Sequence, residues 1–281
     1  MPSDSRAPSS SPVATPAAAG FAPFFARARA AGRPALIPYI TAGDPTLEAS
    51  REVALALTEA GADIIELGVP FSDPVADGPV IQRASERALR QGVTLEHVLA
   101  LAAEIRRRSP VGLLLFGYVN PFLRLGWGRF AQAAAAAGVQ GVLATDLIPE
   151  EAAEYRQALA QRGLEPVFLA APTSPEARLA AIAAASRGFL YAVSRTGVTG
   201  AREQVPPGAR DLVARIRRHT TLPIALGFGL STAAQVEEVG RFADGAVVGT
   251  ALVAAVHAAV QRDGPGAAAP AAASFLRSLR G

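Results

Sequence analysis

The residues best suited to do chemistry are carboxylates in or just after an apolar segment. Glu66 lies inside the apolar run Ile64–Pro70, and Asp73 and Asp77 follow in the proline- and glycine-rich segment 71–79. An unpaired carboxylate is costly to bury, and burial raises its pKa until it can both donate and accept a proton near neutral pH. We therefore expect Glu66 to be a general acid/base, with a buried ion pair as the alternative. An ordinary turn role is equally open for Asp77 and is favoured for Asp73.

Small residues cluster in the second half of the chain, after apolar runs. Gly227, Gly229, Gly249 and Thr250 stand in such places, and the segment 194–200 reads SRTGVTG. Small residues let backbone N–H groups approach an anion, and the amino end of a helix adds a favourable dipole. Each glycine alone is more often a turn or a cap, but together they predict a phosphate site.

Composition excludes several kinds of chemistry. All 27 basic residues are Arg, Cys is absent, and the three histidines at 97, 219 and 257 are far apart. The chain therefore lacks a Schiff-base or P-loop lysine, a thiol nucleophile and a cysteine zinc site, and a histidine metal site is not expected. We expect no metal and no cofactor on this chain. Carboxylates, hydroxyls and backbone amides remain, with Tyr191 as a candidate or else a core aromatic.

The balance of charge and hydropathy gives little reason to expect nucleic acid or a membrane. The net charge is +3 over 281 residues, and no apolar run reaches the ~18 residues of a membrane span. The arginine runs 106–108 and 215–218 fall near the ends of predicted helices, where cations complement the helix dipole. We expect neither a nucleic-acid partner nor membrane insertion.

The elements that would position these residues alternate along the chain. Short apolar runs predict strands at 35–41, 62–70, 112–118, 141–147, 165–171, 189–195, 223–229 and 245–252. Helices are predicted at 46–60, 79–108 in two pieces, 126–137, 149–162, 175–186, 207–219 and 231–240, with flanking helices at 21–31 and 267–280. About eight buried strands separated by helices are typical of a single α/β (β/α)₈ TIM barrel, with an extra N-terminal helix.

The alternative is an open doubly wound sheet, but segment 41–45 reads TAGDP where that fold carries Gly-x-Gly-x-x-Gly. Residues 1–20 are rich in Ser, Pro and Ala and are predicted to be a disordered tail, so the barrel domain would span 21–281. The tail has no secretory signal pattern, and we expect a cytoplasmic protein. In a barrel the active residues should lie at the carboxyl ends of the strands.

Together these motifs resemble the alpha subunit family of tryptophan synthase. The strings that carry the resemblance are PYITAGDP at 38–45, ELGVPFSDP at 66–74, ADGP at 76–79, SRTGVTG at 194–200 and GFG at 227–229. The second string is highly specific, and the resemblance covers residues from about 24 to 275.

The resemblance implies a TIM-barrel lyase of tryptophan biosynthesis. That lyase cleaves indole-3-glycerol phosphate into indole and glyceraldehyde 3-phosphate, a retro-aldol reaction. Glu66 matches the family's general acid/base, and Asp77 matches the carboxylate that holds the indole N–H. Pocket or loop positions are matched by Tyr39, Thr199 and Tyr191. The phosphate site is matched by Gly200, Gly229, Gly249 and Thr250, beside Gly227 of the GFG string.

Two departures from the family pattern stand out. Tyr39 replaces a Phe found in some relatives, so its hydroxyl needs a partner. The segment 116–120 fits only loosely, which leaves the far wall of the indole pocket unassigned.

The absence of lysine agrees with this chemistry on independent grounds. A retro-aldol step needs an electron sink, and an indole ring protonated on C3 supplies its own. One carboxylic acid to protonate C3 and one carboxylate facing the N–H are sufficient, and each such group typically contributes 10²–10⁴-fold.

The resemblance also implies a partner, the tryptophan synthase beta subunit, in an α₂β₂ complex. Pyridoxal phosphate is expected only on that partner, and the loops around 70–79 and 118–128 are candidate contacts. Three alternatives stay open: a stand-alone lyase, a phosphosugar isomerase that shares the phosphate end, and a non-catalytic barrel.

Overall fold

The computed structural model describes residues 20–193, 205–206, 208–227 and 229–280. The strands are Ala35–Thr41 (β1), Ile64–Gly68 (β2), Gly112–Gly117 (β3), Gly141–Ala144 (β4), Glu165–Val167 (β5), Leu169–Ala170 (β6), Leu190–Val193 (β7), Ile224–Gly227 (β8) and Gly245–Val248 (β9). All pairings are parallel, in the order β5-β4-β3-β2-β1-β9-β8-β7-β6. Because β5 and β6 are consecutive pieces interrupted only at Phe168, the sheet is a nearly closed eight-stranded barrel.

The helices lie between the strands in sequence. They are Ala22–Ala30 (α1), Leu47–Glu59 (α2), Pro79–Arg90 (α3), Leu95–Arg108 (α4), Val119–Leu125 (α5), Trp127–Ala136 (α6), Ala153–Ala160 (α7), Glu176–Ala185 (α8), Gly208–Arg217 (α9), Ala233–Gly240 (α10), Thr250–Asp263 (α11) and Ala268–Ser278 (α12). The prediction of a TIM barrel with an extra N-terminal helix is confirmed. No helix in these ranges is long and apolar enough to cross a bilayer.

Local sequence explains several helix boundaries. Thr232 caps α10 through a reciprocal pair with Gln235, as the Thr-x-x-Gln spacing predicts. Pro79 opens α3, where a missing N–H is harmless. The arginines at the end of α4 are structural: Arg106 donates to the carbonyls of Gly138 and Val111, at 3.1 and 2.6 Å. Since α4 ends at Arg108, the interpretation of this run as a helix end is confirmed.

Three predictions about elements were wrong. The apolar run 245–252 was predicted as one strand, but β9 ends at Val248 and α11 begins at Thr250. Helix α5 was not predicted, and segment 149–162 begins with a 3₁₀ turn, Pro149–Glu151, before α7. A short apolar run does not distinguish a buried strand from a buried helix, so packing decides.

The amino end of the barrel is closed by α1. Phe21 and Phe25 join the barrel interior, and Phe21 meets Phe189 edge-to-face at 5.2 Å between ring centroids. The Phe21 N–H donates to the Glu165 carboxylate at 2.8 Å. Burial of these rings at one end leaves the opposite, carboxyl end of the strands as the open mouth. The predicted tail lies, apart from residue 20, outside the described residues.

Candidate active site

A cavity of about 340 Å³ opens at the carboxyl end of the strands. This cavity, the mouth pocket, is lined by Tyr39, Glu66, Val75, Ala76, Asp77, Ile81, Phe116, Thr145, Leu169, Tyr191, Val193, Gly227, Gly229, Val247, Gly249 and Thr250. Its size suits a small ligand, and apolar walls with a few polar groups are typical of a binding site. Eight of the ten residues proposed from sequence therefore line one pocket. The other two, Thr199 and Gly200, lie outside the described residues.

Glu66 is the most deeply buried acid of the mouth pocket. It stands in the middle of β2, in register with Tyr39 of β1 and Leu114 of β3, and only 1% of it is exposed. No residue in the described part of the chain makes a hydrogen bond to its Oε1 atom. Burial raises the pKa of Glu66 well above its ordinary value. The alternative of a structural ion pair finds no support, because no described basic side chain pairs with this carboxylate.

Asp77 enters the mouth pocket from the loop that joins β2 to α3. Its N–H donates to the Pro74 carbonyl at 3.0 Å, and Gln82 Nε2 donates to the Asp77 carbonyl at 2.9 Å. These bonds fold the loop back over the barrel mouth. Burial raises the pKa of the Asp77 carboxyl to about 6, although a hydrogen bond from Tyr118 favours the ionised form. Near neutral pH, Asp77 is therefore largely an anion, while burial favours the protonated form of Glu66.

Asp73, the other carboxylate of this loop, lies outside the mouth pocket. It is exposed, and Ser72 Oγ donates to its Oδ2 atom at 2.5 Å. Its backbone carbonyl accepts from Val75 N at 2.8 Å. The described contacts of Asp73 lie within its own loop, which agrees with a local role, although its side chain accepts from Ser72 and from no described backbone N–H.

Two buried tyrosines line the pocket, each packed against a glycine. A Cβ at Gly68 would lie 2.2 Å from Tyr39 Oη, and a Cβ at Gly227 would lie 2.7 Å from Tyr191 Oη. The Tyr39 hydroxyl has the partner that it needs, Thr41 Oγ1 at 3.3 Å. Burial raises the pKa of both phenols well above the usual value, and the nearby carboxylates add to this. Both hydroxyls are therefore neutral donors at physiological pH.

The predicted phosphate end lies on the β8 and β9 side of the pocket. Gly229 adopts φ +90°, a conformation that favours glycine. Gly249 precedes the first turn of α11, a 14-residue helix that begins at Thr250. Because Gly249 and Thr250 line the pocket, the amino end of this helix, with its unpaired N–H groups and positive dipole end, lies at the pocket. An anionic group of a ligand is stabilised there without a lysine.

Sequence reasoning missed the far wall of the pocket. Phe116 at the end of β3, Thr145 after β4 and Leu169 of β6 form this wall. Phe116 lies edge-to-face with Tyr39 at 5.4 Å and tilted against Tyr191 at 6.4 Å. Tyr118, two residues beyond Phe116, donates a hydrogen bond to Asp77. The aromatic residues at 116 and 118 were a usable signal, because they stand at the carboxyl end of a predicted strand, which in a barrel faces the mouth.

Comparisons with known proteins agree with this geometry. The family model for the tryptophan synthase alpha chain matches residues 25–274. A tryptophan synthase alpha chain from Roseiflexus castenholzii is 50% identical over 258 residues, which are 92% of this chain and 97% of the relative. One from Laribacter hongkongensis is 51% identical over 232 residues, 82% of this chain and 88% of the relative.

Solved structures give the same result. Tryptophan synthase from Mycobacterium tuberculosis superimposes with a TM-score of 0.85 at 41% identity, covering 92% of this chain and 96% of the other. A tryptophan synthase complex from Pyrococcus furiosus has a TM-score of 0.80 at 38% identity, covering 88% and 98%. At these identities and coverages the likeness extends beyond the fold.

Proposed function

The chain belongs to the tryptophan synthase alpha chain family, and we propose from its pocket how it carries out the lyase reaction of that family. The reaction is the retro-aldol cleavage of indole-3-glycerol phosphate to indole and glyceraldehyde 3-phosphate. The observation that carries the proposal is that two acids line one cavity of about 340 Å³: Asp77 and a buried Glu66 whose Oε1 has no hydrogen-bond partner among the described residues. The test is release of indole from indole-3-glycerol phosphate by the full-length chain.

Glu66 performs the proton transfers. Its protonated carboxyl gives a proton to C3 of the indole ring, which makes the ring an electron-accepting iminium. The resulting carboxylate then takes the proton of the hydroxyl on the carbon attached to C3. The bond between that carbon and C3 breaks, its electrons return to the ring, and an aldehyde forms. Glu66 ends protonated, as it began, so the cycle needs no outside proton.

Asp77 stabilises the positive charge that develops on the ring. Protonation at C3 places this charge on the ring nitrogen, whose N–H then donates to the Asp77 carboxylate. A carboxylate in a largely desolvated pocket interacts more strongly with such a charge than one in water does. This role requires the ionised form of Asp77, which predominates above its pKa of about 6.

The remaining pocket residues bind the substrate. The aromatic and aliphatic wall formed by Tyr39, Phe116, Leu169 and Tyr191 suits the indole ring. The glycines at 227, 229 and 249, with Thr250, suit the phosphate. We propose that Thr199 and Gly200 also contribute to the phosphate site. We propose that the chemistry requires no metal or cofactor on this chain, because the two carboxylates and the substrate's own ring supply every step.

We propose that the chain works with a tryptophan synthase beta subunit in an α₂β₂ complex. In this complex only the beta subunit would carry pyridoxal phosphate. Exposed apolar side chains support this, since Val75, Leu123 and Ile148 are 84%, 48% and 41% exposed and lie on the loops and helix around the barrel mouth. Val75 and Leu123 fall in the two segments expected to make contacts, 70–79 and 118–128. Co-purification with a beta chain, and a rise in turnover when it is added, test this. A cytoplasmic location is part of the same proposal.

A further inference from the structure

Tyr118 makes two hydrogen bonds to the loop that carries Asp77. Its hydroxyl accepts from the Ala76 N–H at 3.0 Å and donates to Asp77 Oδ2 at 3.2 Å. Its ring is stacked on Phe71 of the same loop, with centroids 5.0 Å apart and 29° between the planes. Tyr118 itself stands on the barrel, between the end of β3 and the start of α5. One side chain therefore ties both the backbone and the carboxylate of the loop to the barrel wall.

These contacts determine which oxygen of Asp77 is occupied. In the described part of the chain, the Tyr118 hydroxyl is the one hydrogen-bond donor to this carboxylate, and it binds Oδ2. Ala76 and Thr145 both favour the phenol oxygen as an acceptor, so its single proton is directed toward Asp77. Oδ1 is left for another donor. Held in this way, the carboxylate does not have to reorient when a ring N–H arrives, and such preorganisation is where enzymes gain rate.

We propose that Tyr118 is a positioning residue for the reaction: it fixes the Asp77 carboxylate through Oδ2 so that Oδ1 receives the indole N–H. This inference rests on the lyase function proposed above. Tyr118 acts through Asp77 and takes no proton from the substrate.

The bond also favours the charged form of Asp77, which gives the proposal a measurable signature. The other ionisable groups near Asp77 are Glu66 from β2, Tyr39 from β1 and Tyr191 from β7. The two tyrosines are neutral at neutral pH, and burial favours the protonated form of Glu66, so Tyr118 is the described group whose hydrogen bond opposes the effect of burial on Asp77. Without it, the pKa of Asp77 rises above about 6.

The test is Tyr118→Phe, which keeps the stacking on Phe71 and removes both hydrogen bonds. Ala76 is exposed, so its N–H can bond to water and the loop need not unfold. We expect kcat/KM for indole release to fall roughly ten- to a hundredfold. We also expect the midpoint of the acid limb of the kcat/KM pH profile to move upward by about one pH unit. A non-cleavable indole analogue with a propyl phosphate chain should show the same upward shift in the pH dependence of its Kd.

Tyr155→Phe is the matched control. Its hydroxyl donates to the Val142 carbonyl at 2.7 Å, and the residue is buried outside the mouth pocket. This variant also loses a buried phenol hydrogen bond, but it should keep the wild-type pH profile. In an Asp77→Asn background, Tyr118→Phe should change analogue affinity by less than about twofold, because a residue that acts only through Asp77 has nothing left to position.

An unshifted acid limb in Tyr118→Phe would overturn the proposal, even if activity fell, because loss without a shift indicates a structural or substrate-contact role. Full additivity of the two substitutions on analogue affinity would overturn it as well. If the wild-type chain released no indole with or without a beta subunit, the lyase function itself would be refuted. The analogue titration would still report whether Tyr118 tunes Asp77.

Discussion

Replacing Glu66 by Gln should remove activity and change the pH dependence of stability at the same time. The carboxyl is buried, its Oε1 has no described partner, and burial raises its pKa well above 4.5. Glutamine has nearly the same shape but neither donates nor accepts a proton in this range. We expect substrate binding to persist and turnover to fall by about 10²–10⁴-fold, the usual contribution of a general acid/base.

The stability effect follows from proton binding. Between the ordinary pKa of 4.5 and the raised folded value, folded Glu66 holds a proton that the unfolded chain has released. The folded state then binds more protons, so the free energy of unfolding declines as pH rises through this window, by about 1.4 kcal/mol per pH unit from this group. Glu66→Gln removes that slope. Relative to wild type, the variant should therefore become progressively more stable as pH rises from the ordinary pKa toward the raised folded pKa of Glu66.

The assays are indole release and urea unfolding of both proteins at several pH values. Glu165→Gln is the control: its carboxyl also has a pKa raised by burial, but it lies at the closed end of the barrel beside Phe21. It should change the pH dependence of stability in the same direction and leave turnover near wild type. Turnover of Glu66→Gln within about tenfold of wild type would refute the acid/base role. A stability difference that is constant with pH would refute the inference that Glu66 is protonated in the folded state.

Three further predictions use the same pocket. The acid limb of kcat/KM should have a midpoint near the Asp77 pKa of about 6, so that activity at pH 5 is about a tenth of the plateau. A flat profile from pH 5 to 8 would contradict the role of ionised Asp77. The Asp77→Asn variant should be severely impaired at every pH. Tyr39→Phe loses only the 3.3 Å bond to Thr41 and should cost about 1 kcal/mol of stability in urea unfolding with kcat within a few-fold of wild type; a large loss of kcat would assign the hydroxyl to the chemistry. Dialysis against EDTA should leave indole release intact, and a loss restored by a divalent ion would show that a metal takes part.

Whether the sequence predicts a structural feature depends on whether that feature is determined by neighbouring residues or by residues distant along the chain. The seven-residue strand β1 was predicted at its observed bounds, because a continuous apolar run between a proline and a glycine is a local signal. Thr232 and Gln235 predicted their own cap for the same reason. By contrast, the run 245–252 contains both a strand end and a helix start, and only packing of α11 against β1 and α3 separates them.

The sequence by itself singled out Glu66, since a carboxylate in an apolar strand is visible without coordinates, and it left Asp73 and Asp77 as two carboxylates of one proline-rich loop. It also determined that lysine and cysteine chemistry is excluded. The tertiary structure decided what surrounds those acids: Tyr118 and Asp77 are 41 positions apart and meet only because β2 and β3 are adjacent. It likewise decided that Asp73 faces solvent while Asp77 enters the pocket. Burial and hydrogen bonding, and therefore pKa, are properties of residues brought together from distant parts of the chain, and no local pattern contains them.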